Sequence, residues 1–408
     1  MVEPTQTDAT RRDGSIAPAG ATQSGMRASN ERLVLTLVRH HGALSRSDLA
    51  RMTGLSAQTI WGIAQALEEE GLLMRGAPLR GRIGQPSVPL SLDPAGAFFM
   101  GAKIGRRSTD LVLLDFCGET RERRTRRYPF PEPGTTLEIL REGLAGIHES
   151  LGVQASRIAG LGLAMPFELW NWSESAGAPA HVMDAWRSVD VRAELAGELP
   201  FPVYLQNDAS AACAAELAFG DHRDLRDFVY FYVGSFIGGG LALNGAVHWG
   251  GSGNAGALGS LLVADNSGRL RQLIEIASLL PLERDLRAAG HKSDPVWADA
   301  EVWRAHAALT GEWINRAAQG IAQASVAATA VTDCGAVVID GPFPRSILDR
   351  LIVQVRREIG AWTTEGVHPP EVRRGSLGPL SRAIGGASLP LFDRHLAGHA
   401  LAGRQAGG

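Results

Sequence analysis

Side chains able to read a DNA duplex cluster at Ser56-Ala57-Gln58-Thr59-Ile60-Trp61, near the front of the chain. A glutamine carries the paired donor and acceptor that match an adenine edge, so Gln58 is a candidate base reader. Thr59 can meet a phosphate or a thymine methyl, and Trp61 is expected to face outward beside them. Ser56 is placed to cap the helix that carries all three. Downstream, "LLMRGAPLRGRIGQPSVPLSL" supplies Arg75, Arg80 and Arg82, with no acidic residue until Asp93. Arg80, Arg82 and Gln85 join the expected DNA-binding set.

Three helices must position these groups. "ERLVLTLVRHHG" spaces Val34, Leu37, Val38 and His41 on one helical face and stops at Gly42. Ser45 and Asp48 have capping-box spacing and open a short second helix that Gly54 breaks. A third helix follows Ser56, with Ile60, Ile63, Ala64 and Leu67 inward and Gly71 at its end. Two short helices joined by a glycine turn predict a helix-turn-helix, and the arginine-bearing segment after it predicts a hairpin wing. A three-helix bundle used for protein contacts, with Trp61 in its core or at a dimer face, is the competing arrangement.

Composition sets the outer bounds. The chain has 408 residues, a net charge of −3, 45% hydrophobic and 20% charged residues, which describes a soluble chain of two or three domains. Its charge supplies no global pull toward nucleic acid, so any DNA contact must be local. Cys117, Cys213 and Cys334 are far apart, which points to a reducing cytoplasm without a disulfide framework or a cysteine zinc site. No apolar run reaches the roughly 18 residues of a membrane span. Residues 1–27 read as a disordered tail and 28–92 as the winged helix-turn-helix.

Beyond residue 93, "AFFMGAKIG", "TDLVLLDFCGE" and "RERRTRRYPF" read as three strands. A helix over "TTLEILREGLAGIHESLG" and a buried strand "RIAGLGLAMP" follow. After Asp208 the order recurs: "FVYFYVGSFIG", "GGLALNGAVHWGG", helical segments around 269–290 and 300–331, and the strand "GAVVIDG". Two similar α/β halves predict a duplicated body with a ligand cleft between them. The expected division is 93–205 as the first lobe, with 380–408 returning to it, and 206–379 as the second. Trp303 and Trp313 suit either the core or a subunit interface. The histidines, among them His41, His148 and His222, show no ligand spacing.

The stretches "LQNDASAACAAELAFG", "FVYFYVGSFIGGGLALNGAVHWGGSGNAGALGS" and "IGGASLPLF", behind a winged helix, resemble the ROK family of repressors, open reading frames and sugar kinases. The resemblance runs over about residues 30 to 400 and implies an actin-like, ribonuclease-H-like ATPase fold. It puts Asn207 and Asp208 where family kinases hold a sugar and its catalytic carboxylate. An Asn-Asp pair after a strand equally suits capping of the helix "ASAACAAEL". Gly234, Gly238, Gly239 and Gly240 match one phosphate loop. The other departs from the family, since "AKIGRRST" has Lys103 in place of the phosphate-loop aspartate and Arg106–Arg107 where glycines let phosphate approach. Pro342 and Phe343 depart again at the nucleotide end. Phosphoryl transfer, which needs phosphate cradles and Mg²⁺, is therefore not expected.

In sugar-binding members a Gly-Glu-x-Gly-His motif supplies a glutamate to sugar hydroxyls and a histidine to sugar and zinc. Here the matching residues are Gly256-Ala257-Leu258-Gly259-Ser260, and no cysteine follows in "NSGRLRQLIEIAS". Asn207, Asp208, Gly256, Ala257 and Ser260 are the expected ligand set, and a buried Asp208 is expected to find a ligand, a water or a nearby donor. Trp170, Trp172 and Trp186 suit either sugar stacking or loop anchoring.

The reading is a cytoplasmic regulator without catalytic residues, cofactor or metal, and without membrane contact. A repressor of carbohydrate genes is expected, a homodimer or homotetramer on a pseudo-palindromic double-stranded operator, relieved by a sugar-like effector. The alternatives are a sugar kinase with an accessory winged helix and a regulator that answers to no small molecule.

Overall fold

The computed structural model describes residues 23–78, 88–173, 177–291, 300–362 and 365–397 of the chain. The front unit comprises α1 (Gln23–His41), β1 (Leu44–Ser45), α2 (Arg46–Thr53), α3 (Ala57–Glu69), β2 (Leu73–Arg75) and β3 (Pro89–Leu92). The Ser45 hydroxyl accepts from Asp48 N at 3.1 Å and caps α2. Gly54 ends that helix at φ 72°, a left-handed turn that a side chain resists. Ser56 likewise caps α3, accepting from Thr59 N at 3.1 Å, and Ile60, Ile63, Ala64 and Leu67 are buried.

Two expectations for α1 need correction. Its buried face is Val34, Leu35 and Val38, whereas Leu37 is half-buried and His41 exposed. The body takes up the flank carrying Arg39, which rotates the buried stripe by one position. The helix also starts at Gln23, inside the stretch read as a tail to residue 27; residues 1–22 lie outside the described residues. β2 and β3 pair antiparallel, Leu73 with Leu92 and Arg75 with Leu90, forming the base of the wing. Arg80, Arg82 and Gln85 lie outside the described residues.

The body holds two five-stranded sheets. The first has β4 (Phe98–Ile104), β5 (Ser108–Leu114), β6 (Thr120–Arg127), β7 (Ile158–Met165) and β8 (Val203–Asn207), with α4 (Pro133–Leu151), α5 (Ala180–Asp184) and α6 (Val191–Glu198) between strands. Its order is β6-β5-β4-β7-β8, antiparallel among the first three and parallel from β4 to β8. α7 (Asp208–Phe219) leads to the second sheet of β9 (Phe228–Val233), β10 (Ile237–Leu243) and β11 (Ala246–Val247). A hairpin of β12 (Leu262–Ala264) and β13 (Leu270–Gln272) precedes α8 (Leu273–Ala277), α9 (Leu279–Ala288), α10 (Ala300–Ala305) and α11 (Ala307–Thr332). β14 (Ala336–Asp340), α12 (Arg345–Gly360) and β15 (Glu371–Arg374) complete it, in the order β11-β10-β9-β14-β15.

Strand order and direction thus repeat, third-second-first-fourth-fifth, as a duplicated fold requires. Residues 270–272 are strand rather than helix, because Asp265 accepts from the backbones of Ser267 and Arg269 and folds the segment back. Trp303 and Trp313 are core residues, 1% and 0% exposed, packed edge-on at 5.6 Å and each against Phe343.

α13 (Ser381–His395) returns to the first sheet and lies against β4, β7 and α7. The approach is backbone to backbone. A Cβ on Gly385 would stand 2.0 Å from the Ala211 carbonyl, and one on Gly162 would stand 1.8 Å from that of Gly386. Only glycine fits there, which accounts for "IGGASLPLF". The cleft opens beyond the carboxyl ends of the parallel strands in both sheets, where Pro166, Asp208, Ser235 and Pro342 line it, as α/β topology dictates.

Candidate DNA-binding face and ligand cleft

On α3, Ser56, Ala57, Gln58, Thr59 and Trp61 are exposed, Trp61 at 49%. The Trp61 ring is therefore not a core residue of a bundle. Ser56 Oγ and Thr59 Oγ1 lie 2.8 Å apart, so the cap holds the Thr59 hydroxyl while Gln58 projects beside it. No residue from Ser56 to Trp61 is charged, and Glu68 gathers the nearby cations. Arg75 Nε donates to it at 2.6 Å and Arg46 Nη2 at 2.8 Å. Arg75, expected to serve the wing, is thereby tied to the third helix.

The cleft encloses about 1250 Å³. Asn207, Asp208, Ala257 and Ser260 line it as expected, while Gly256 does not. Gly256 instead sits at φ 75° with its α-carbon against Gly240, where a Cβ would fall 2.7 Å from Gly240 Cα; its role is close packing. Asn207 caps α7, its Oδ1 accepting from Ala209 N and Ser210 N at 3.0 and 3.2 Å, so capping and cleft lining coincide.

The donor expected for Asp208 is Arg382, whose Nη1 donates to Oδ2 at 2.9 Å. The guanidinium also lies over the Tyr232 ring, 4.5 Å from its centroid. Beside them Lys103 Nζ donates to Asp110 Oδ2 at 3.0 Å and to Ser108 Oγ at 3.0 Å. Burial and the neighbouring Arg382 pull the Lys103 ammonium down, against the attraction of Asp110. Burial raises the Asp110 carboxyl, but the Lys103 charge and hydrogen bond outweigh it and hold it at about 2. Arg106 reaches across the cleft and donates to Glu283 Oε2 on α9 at 2.9 Å, both side chains almost fully buried.

These groups test the cofactors the fold implies. Zinc takes thiolate and imidazole, and Ala257 and Ser260 offer neither. Where a phosphate loop would present backbone N–H groups and Mg²⁺, Lys103 and Arg106 place buried cations. The donor sets fit neither group. Of the tryptophans, Trp172 lines the cleft and packs edge-on to Phe236 at 4.1 Å, Trp170 lies under Arg187, and Trp186 is buried with its indole donating to Pro131 O.

The same two helices that end in the cleft also reach the front unit. α7 runs from Asp208 to Phe219, and α13 carries Arg382 near one end and His395 at the other. Arg39 of α1 donates to the carbonyls of Phe116 and Cys117 and stacks over the rings of Phe116 and Phe219. Ala397 N donates to Thr36 Oγ1 at 3.0 Å, and Arg223 Nη1 to His40 O at 3.1 Å. Spacing within any one element gives no sign of this seam, nor of Arg382 as the partner of Asp208.

Architecture and site define a winged helix fused to a duplicated, actin-like two-lobed body. The chain belongs to the ROK family, whose profile matches residues 99–391, and a profile for a winged helix-turn-helix DNA-binding unit matches residues 27–74. It is 26% identical over 379 residues to the uncharacterized protein y4fQ of Sinorhizobium fredii, covering 90% of this chain and 92% of that one. It is 22% identical over 246 residues to the xylose repressor of Bacillus subtilis, a match spanning 60% of this chain and 63% of the repressor. Among solved structures, a ROK family transcriptional regulator described as a homologue of the E. coli MLC protein superposes with a TM-score of 0.66. That match covers 90% of this chain and 96% of the other at 19% identity, a likeness of fold.

Proposed function

We propose that the protein is a DNA-binding transcriptional regulator, a repressor of carbohydrate-utilisation genes whose grip on its operator changes when a sugar-like ligand enters the cleft. The observation that carries this reading is the α7–α13 pair. One end of each helix faces the cleft as Asp208 or Arg382, and at the far ends Phe219 and Ala397, just past α13, meet α1 of the DNA-binding unit. A ligand that redistributes the Asp208–Arg382 pair thereby acts on elements seated against the head. It shifts the DNA-binding equilibrium by its differential affinity for the two arrangements. Similarity to the xylose repressor supports a sugar as the class of effector. A two-fold oligomer on a pseudo-palindromic operator is the matching assembly.

The kinase alternative is disfavoured, since the Asp208 carboxylate is bound to Arg382 and buried cations occupy the phosphate side. The test is fluorescence anisotropy of the full chain on the DNA upstream of its own gene, in rising salt, beside an assay for ADP release with hexoses. Sequence-specific binding is expected, with no ADP. Because Glu68 holds Arg46 and Arg75, Arg80 and Arg82 are expected to carry phosphate contacts. Each change to Ala should flatten the log–log salt slope by about 1. Hexose-dependent ADP release without specific DNA binding would overturn the reading.

A further inference from the structure

The chain carries a net charge of −3, yet the described cleft wall collects eight arginine and lysine side chains against four carboxylates. Three of those carboxylates are already matched inside the protein: Asp208 by Arg382, Asp110 by Lys103 and Glu275 by Arg271. The cationic surplus is local, and it has an ordered source. β6 alternates, so that Arg123, Thr125 and Arg127 face the cleft while Arg124 bonds Glu122 on the other face. Arg284 of α9 faces the cleft from the opposite lobe. Arg123, Arg127 and Arg284 are exposed and have no acidic partner among the described residues.

Deeper in, two unanswered groups of cleft-lining residues can donate. Arg382 Nε and the Tyr232 hydroxyl are buried and meet no hydrogen-bond partner among the described residues, and Tyr232 is 1% exposed. Buried donors ask for acceptor oxygens. Asn207, Asn254 and Ser260 supply neutral polar contacts of the kind that polyol hydroxyls satisfy. The enclosed volume of about 1250 Å³ exceeds the roughly 300–1,000 Å³ of ordinary ligand pockets, leaving room beyond one sugar ring.

From this arrangement we infer that the cleft takes an anionic sugar derivative, a polyol bearing a carboxylate or a phosphate, with the acidic group against Arg123 and Arg127 of β6. The inference rests on the reading of the cleft as the effector site. Charge-assisted bonds to arginine are the stronger kind, and two guanidinium groups on adjacent same-face positions suit a forked oxyanion.

The experiment is titration calorimetry of the full chain with glucose, glucuronate, glucose 6-phosphate and inorganic phosphate, each at low and high salt. The acidic sugars are expected to bind at least about ten-fold tighter than glucose and to weaken as salt rises. Whether glucuronate or the phosphate ester binds tighter assigns the acidic group. In the Arg123→Gln/Arg127→Gln variant, on an exposed edge strand where folding is not at stake, the acidic sugars should lose about ten-fold while glucose is unaffected. Equal affinity for glucose and its acidic derivatives, or an unchanged variant, overturns the anionic assignment and leaves a neutral-sugar site standing. Binding of none of the sugars overturns the effector reading as well. Binding of inorganic phosphate alone, undiminished by the variant, also overturns the proposal.

Discussion

From Ser56 to Trp61 the exposed face of α3 offers no charge, while the cleft wall some distance away gathers cations from both lobes. A base-reading surface works through shape and paired donors and acceptors, and leaves the phosphates to elements beside it. The cleft works through charge held in place by charge: Lys103 against Asp110, Arg382 against Asp208, Arg106 against Glu283. The first surface is assembled from one capped helix. The second is assembled from residues that meet only when two sheets face each other. The two should therefore fail differently, the cleft through stability and the DNA face through recognition.

Asp208→Ala should have the largest effect. It strands the Arg382 guanidinium, buried over Tyr232, and should cost about 3 kcal/mol or more in denaturant unfolding of the body. Adding Arg382→Met should restore much of that loss. If the single variant is as stable as the parent, the pair does not organise the cleft.

A smaller effect comes from pH at the seam between head and body. His395 packs against Phe99 and Phe116, and burial, with Arg394, Arg39 and Arg32 nearby, lowers it from 6.5 to about 4. The folded value lies below the unfolded one, so the unfolded chain takes up the proton first. Stability is therefore complete above pH 6.5 and falls as pH drops through 4, by up to about 3 kcal/mol. Glu216 titrates with the opposite sign. Burial raises it to about 7 against its bonds from Ser376, so its cost grows as pH rises from 4.5 to 7. The difference in melting temperature between the parent and His395→Gln isolates the histidine, and the parent's advantage should shrink on acidification because only the parent loses stability. A constant difference would show that the ring takes up its proton at the same pH in the folded and unfolded states.

The smallest expected change is on the DNA face. Ser56→Ala removes the cap of α3 and should cost about 1 kcal/mol in unfolding of the head. Because the same hydroxyl steadies Thr59, operator affinity should fall further than stability explains. Equal losses on random DNA and on the operator would mean that Thr59 reads phosphate rather than base.

Much of the head was legible before any coordinate, because its signals are local. Ser45 with Asp48, Gly54, and Ser56 with Thr59 are contacts within three or four residues, and the apolar period of α3 marks its buried face directly. Most strands of both lobes were legible too, as was their repetition, whereas the short β12, β13 and β15 carry too little pattern to be read. Local patterning misled where tertiary contact overrode it. The buried stripe of α1 turned toward the body, residues 270–272 folded back as a strand, and Gly256 proved to be a packing contact rather than a ligand contact.

Local spacing settles the capped helices and the recurring order of strands, and it places Lys103, Arg106, Ala257 and Ser260 along the chain. Only the tertiary structure decided what those residues do. Arg382 stands 174 residues from Asp208, and Glu283 stands 177 from Arg106. No periodicity joins positions so far apart. Their pairing follows from where two copies of one sheet order place their strand ends, and from a glycine contact that lets the last helix lie close enough for its arginine to reach the cleft.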